Sequence, residues 1–164
     1  MVEEMIRRFD KNEECRCLCL DKILDYYGMR LVPKNSIKKI DNFIKTYRFL
    51  KQKGFLIEGY IDKRLLINPK FFLYLRKKDI NFNKNIFTIH PNQNCIYLYY
   101  TSAKELYGID EAWTHCICEI YQNGKRIVYD SYWSQIKKQY KSIKFPVHSD
   151  LCNKIILALK IRRK

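Results

Sequence analysis

Two β-prone runs, Trp113 to Gln122 and Lys125 to Tyr132, are joined by nothing but Asn123-Gly124. That dipeptide accepts positive φ at both centres of a two-residue turn, so it commits this part of the chain to an antiparallel hairpin of fixed register. With Gln122 facing Lys125, counting back sets Ile117 opposite Asp130 and His115 opposite Tyr132. His115 and Asp130 then share one face as diagonal neighbours, with Cβ atoms roughly 7 Å apart or somewhat less, within reach of an imidazole and a carboxylate. Asp130 also suits a turn cap and His115 a satisfied core position, but their common face argues for a pair.

A second segment supplies what such a pair serves. Asn12 is placed to cap a helix that begins at Glu13 and ends at Gly28, which puts Cys15 in the first turn. There the unpaired N–H groups and the helix dipole favour an anion, so a thiolate forms more easily. Cys15, Cys19, Ile23 and Tyr26 fall on one side of this helix, and Asp21 and Asp25 on the other. A thiol, a histidine that takes its proton and an aspartate that orients the histidine make a nucleophilic site. Cys17, Cys19, Cys95, Cys116 and Cys118 read as small apolar fillers, and His90 and His148 as structural. No cofactor or metal is expected, because no Cys-x-x-Cys knuckle occurs and alternation turns His115 and Cys116 to opposite faces.

The segment from Glu14 to Gly28 resembles the nucleophile region of the papain-like peptidase domains of bacteriocin-exporting ABC transporters, which cleave leader peptides after a double glycine. Glu14, Cys15, Cys19, Leu20, Ile23, Leu24, Tyr26, Tyr27 and Gly28 stand at the family's positions. His115 to Ile120, followed across the hairpin by Val128-Tyr129-Asp130, is similar to the family's histidine strand and its aspartate. Asp130-Ser131-Tyr132-Trp133 resembles the Asn-Ser-Trp of papain relatives, where the tryptophan shields the orienting hydrogen bond; Trp133 takes that place here. The resemblance implies a papain-like α+β domain, N-terminal helices packed on an antiparallel sheet. It also implies a thiol peptidase with Cys15 as nucleophile, His115 as base and acid, and Asp130 as orienter.

The chain departs from that pattern. Arg16 replaces the glycine after the nucleophile, and Phe9 replaces the glutamine that supplies an oxyanion donor six residues before it. The backbone N–H of Cys15, with Asn12 or Gln93, is left for that task. No membrane domain or ATPase accompanies the motif, so export is not expected of this chain. A His-Asp-Cys order, His115, Asp130 and Cys152, resembles the ubiquitin-like-protein and adenovirus-type proteases and ranks below Cys15. The rival to catalysis is a pseudo-peptidase that binds an acidic protein or nucleic acid.

The 164 residues fit one domain, 1–164, and 47% apolar with 15% aromatic content is ample for a core, so disorder is not expected. No apolar run reaches the roughly 18 residues of a membrane span. Met1 to Asp10 is too polar for a signal peptide, and seven irregularly spaced cysteines suit a reducing compartment, so a cytoplasmic protein is expected. A net charge of +15 favours acidic partners, with a peptide or protein substrate preferred over nucleic acid; oligomeric state is open. Further helices are expected from Asn35 or Ser36 to Lys53 and from Pro69 toward Lys78. Strands are expected at Asn85–Ile89 and Cys95–Thr101, with a strand or helix from Lys154 to Ile161.

Overall fold

A computed structural model describes residues 14–29, 43–62, 69–77, 80, 82, 84–89, 95–111, 114–141 and 153–164. In chain order these form α1 (Glu14–Tyr26), α2 (Phe43–Gln52), β1 (Phe55–Ile61), α3 (Pro69–Lys77), β2 (Lys84–Asn85) and β3 (Ile96–Ser102). They continue with α4 (Ala103–Tyr107), β4 (Thr114–Gln122), β5 (Lys125–Tyr129), α5 (Trp133–Gln139) and β6 (Leu157–Arg163). The six strands make one sheet in the order β2-β1-β6-β3-β4-β5.

The class is α+β, but the sheet is mixed rather than antiparallel. Every pairing runs antiparallel except β1 with β2, where Tyr60 and Ile61 lie beside Lys84 and Asn85. The strand expected at Asn85–Ile89 is a two-residue strand followed by a 3-10 turn, Ile86–Thr88. Asn85 caps that turn by accepting from the Phe87 N–H at 3.3 Å, a local side-chain bond that diverts the backbone from the ladder. The final apolar run is strand β6, which sits between β1 and β3.

Both faces of the central strands are covered, which explains why β3 is buried along almost its whole length instead of alternating. On one face Leu98, Tyr100, Cys116, Cys118, Leu157, Leu159 and Ile161 pack with Cys15, Cys19, Leu20 and Ile23 of α1 and Ile44, Tyr47 and Leu50 of α2. On the other, Tyr97, Tyr99, Ile117 and Ala158 meet Ala103, Leu106 and Tyr107 of α4 and Ile136 of α5. Helix α1 lies against β4. It ends as its glycine requires: Gly28 has φ +69, its N–H donates to Asp25 O, and Met29 N–H reaches back to Leu24 O at 2.8 Å.

The β4–β5 hairpin turns through Asn123 (φ 53) and Gly124 (φ 72), and Gln122 pairs with Lys125. The register continues to Cys118 opposite Tyr129, as the turn chemistry dictates. There β5 stops. The expected helix from Asn35 or Ser36 is described only from Phe43, and residues 35–42 lie outside the described residues. Among the described residues no helix is long and apolar enough to cross a membrane.

Candidate active site

Because β5 ends opposite Cys118, Cys116 has no β5 residue paired with it. Helix α1 takes that place. The Cys116 N–H donates to Cys15 Sγ at 3.2 Å, and Cys19, one helical turn on, donates its thiol to Cys116 O at 3.5 Å. Two thiols at i and i+4 thus satisfy both backbone polar groups of one strand residue. This fixes the N-terminal turn of α1 against β4.

His115 precedes Cys116 and so faces the opposite side of the sheet. Its Nε2 lies 2.7 Å from Asp130 Oδ1, with side-chain exposures of 0% and 1%. Asp130 is held in turn by the Tyr132 N–H, which donates to Oδ1 at 3.0 Å. The Cys15 thiol and the same imidazole influence each other electrostatically, each favouring the charged form of the other. Nε2 is the nitrogen that Asp130 engages. Cys15, His115 and Asp130 therefore lie together at the edge that β5 leaves open, with a hydrogen bond between His115 and Asp130 and an electrostatic coupling between His115 and Cys15.

The electrostatics follow from these contacts. The hydrogen bond to Cys15 from the Cys116 thiol, the largest influence, outweighs burial and acts with His115 to bring the Cys15 thiol down from 9.0 to about 5. For His115, burial works against the charged form, but the hydrogen bond to Asp130 and the influence of Cys15 outweigh it and raise the ring to about 9. Between these values the resting state is a thiolate–imidazolium pair. Burial, with the neighbouring Cys15 second, pushes Cys116 well above the ordinary thiol value, so it stays protonated as a donor.

Tyr107 and Tyr132 complete the surroundings. The Tyr107 hydroxyl lies 3.0 Å from His115 Nε2 and donates to Asp130 Oδ2. The Tyr132 ring stacks on His115 at 5.2 Å and 26°. Trp133 starts α5 rather than ending a strand. Its ring lies on Tyr107 (6.2 Å, 30°), so it covers the imidazole–carboxylate pair at one remove. Beside it a cavity of about 290 Å³ is lined by Val128, Tyr129, Asp130 and Trp133.

Arg16 is fully buried, near Tyr100 and Cys116, rather than extended over the thiol. Phe9, Asn12, His90, Gln93, His148 and Cys152 lie outside the described residues. Tyr107, Tyr132 and the paired thiols Cys19 and Cys116 were not singled out from sequence. For Tyr107 a signal exists: Ser102-Ala103-Lys104-Glu105 has capping-box spacing and Gly108 ends the helix, which places Tyr107 at its last position. Among the described residues no group of three or more His, Cys, Asp or Glu side chains is placed to hold a metal ion, and the described cysteines are free thiols.

Comparison of the chain with family models, curated proteins and solved structures finds no match.

The ion pair predicts a pH-dependent stability. The raised pKa of His115 contributes stability that is complete below about 6.5 and lost as pH climbs through about 9. The lowered pKa of Cys15 contributes stability that is complete above 9.0 and lost as pH falls through about 5. From 6.5 to 9 the two slopes oppose, and below 6.5 only the thiol's changes. Melting temperature attributable to this pair should be flat from pH 6.5 to 9 and fall from 6.5 to 5. His115→Ala, melted alongside, should lose the plateau; an identical profile in the two proteins removes the ion pair.

Proposed function

We propose that this chain is a papain-like thiol hydrolase that cleaves a peptide or isopeptide bond, with Cys15 as nucleophile, His115 as acid and base, and Asp130 as orienter. The observation that carries the reading is the buried His115–Asp130 hydrogen bond beside a thiol at the start of a helix, which His115 helps to bring down to a pKa of about 5.

Cys15 Sγ attacks the carbonyl carbon, a C–S bond forms, and the π pair moves to oxygen. Collapse of this tetrahedral species breaks the C–N bond, and His115 passes its Nδ1 proton to the leaving amine. Water then adds to the thioester while neutral His115 takes its proton, and Cys15 leaves as thiolate. Through both halves Asp130 keeps the Nε2 proton in place. The Cys15 N–H, among the first four of α1, supplies one oxyanion donor.

A second reading draws on a specific fact: Cys15 and His115 have 0% exposure. A sealed pair suits a non-catalytic module that binds an acidic protein or nucleic acid, for which the charge of +15 provides attraction.

Iodoacetamide labelling against pH, read at each cysteine by peptide mass spectrometry, separates them. For a hydrolase, Cys15 labels fastest and its rate reaches half-maximum near pH 5. A Cys15 that labels only as pH approaches the free-thiol value of about 8.5 sinks the catalytic reading.

A further inference from the structure

We propose that Tyr107 is a positioning residue of this site, a fourth member of the Cys15, His115 and Asp130 group whose phenol locks the carboxylate against the imidazole. The inference rests on the reading of Cys15 as nucleophile.

Tyr107 is brought there by a helix of one turn with both ends fixed. Ser102 Oγ accepts from Glu105 N at 3.2 Å, and Gly108, with φ +69, returns its N–H to Lys104 O at 3.0 Å. The phenol so placed is buried and touches both partners. Its single proton goes to Asp130 Oδ2, so its oxygen is left to accept from His115 Nε2–H, which also donates to Oδ1. The three groups close a ring in which each carboxylate oxygen has its own donor. Burial first, and then the Asp130 charge, raise the phenol far above its ordinary pKa, so it holds its proton throughout.

A closed ring has one consequence for the histidine. Nε2 faces two acceptors and keeps its proton whether the ring is charged or neutral, so the proton that comes and goes is on Nδ1. The titratable groups around His115 are Asp130 beyond β5, Cys15 from α1, Tyr107 from α4 and Tyr132 before α5. Cys116 on the same strand bonds Cys15, and Arg16 is buried near Cys116. Only Tyr107 reaches Oδ2 among the contacts of Asp130 described above. Without it, the carboxylate is free to turn about its Cβ–Cγ bond and out of line with the imidazole.

The test is Tyr107→Phe, which keeps the ring against Trp133 and removes one oxygen. Loss of one charge-assisted hydrogen bond should move the half-maximal pH of Cys15 labelling up by about one unit, so that labelling at pH 5 slows about twofold once the greater nucleophilicity of the more basic sulfur is counted. Asp130→Asn should move it the same way, and Tyr107→Phe combined with Asp130→Asn no further than Asp130→Asn alone, because one acts through the other. An unchanged midpoint in a folded Tyr107→Phe, or additive shifts in the double variant, overturns the proposal. Should the phenylalanine variant fail to fold, the ¹⁵N spectrum of His115 in the unmodified protein decides. An Nε2–H tautomer at high pH supports the ring, and an Nδ1–H tautomer refutes it. If Cys15 of the unmodified protein labels as an ordinary thiol, the nucleophile reading fails and Tyr107 falls with it. A low midpoint that Tyr107→Phe leaves untouched fails the tyrosine alone.

Discussion

In His115→Ala the pH at which Cys15 ionises is expected to climb from about 5 toward, but not as far as, the ordinary 9.0, because the Cys116 donors remain. At pH 6 a thiol titrating near 5 is about nine-tenths thiolate, whereas one near 9 is about one part in a thousand. At that upper limit the gain in intrinsic nucleophilicity of the more basic sulfur returns a factor of roughly fifty, so labelling at pH 6 should slow by at most about twentyfold. Turnover loses more. The proton that His115 gives the leaving amine is worth a further hundred- to ten-thousandfold or so, and without it amide hydrolysis should fall by at least about a hundredfold. Peptide mass spectrometry for labelling and a quenched peptide library for turnover make the two measurements. A midpoint that stays near 5 would mean that the Cys116 thiol alone holds the thiolate, and that His115 is not its base.

Cys15→Ala should abolish turnover, a loss on the order of a millionfold where the nucleophile itself is removed, while the circular dichroism spectrum is kept. The fold survives because the other thiol of the clamp, Cys19, still reaches Cys116 O. It is nonetheless weakened. The Cys116 N–H loses the sulfur at 3.2 Å, and an orphaned buried donor costs about 1–3 kcal/mol, or several degrees of melting temperature in a chain of this size. Cys15→Ser restores an acceptor, so it should melt closer to the unmodified protein yet remain inactive. Turnover that persists in Cys15→Ala would move the nucleophile elsewhere, with Cys152 the first residue to replace.

The parts of this structure that were readable in the sequence are those set by local chemistry. Asn123-Gly124 fixes the β4–β5 register, and the Gly28 end and apolar stripe of α1 appear as expected, with Asp21 and Asp25 exposed. Pro69 opens α3 in its favoured first position. What was not readable depends on partners far away in the chain. Strand β1, whose buried pattern lacks alternation, is a strand because β6 lies beside it about a hundred residues later. Helices α4 and α5 are short and owe their stability to packing on the second face of the sheet.

The site divides the same way. The His115–Asp130 pairing follows from hairpin register, so it was visible. That Cys15 meets His115 depends on how α1 docks on β4, which no spacing reports. Cys116 looked like filler because a thiol's hydrogen bonds leave no mark on composition, yet it gives Cys15 a donor from its backbone and another from its side chain.

The early end of β5 carries a consequence for how this chain tolerates change over evolution. Had the strand run through Ser131, it would have paired with Cys116 and left no polar backbone atoms for the thiols of α1. A complete sheet and the two thiols of α1 compete for the same two atoms. An exposed hairpin tip is ordinarily where insertions and deletions accumulate without harm. At Asn123-Gly124 a change of one residue would slide every later residue of β5 along β4 and carry Asp130 away from His115. The length of this surface turn is therefore held constant by chemistry at the far end of the hairpin.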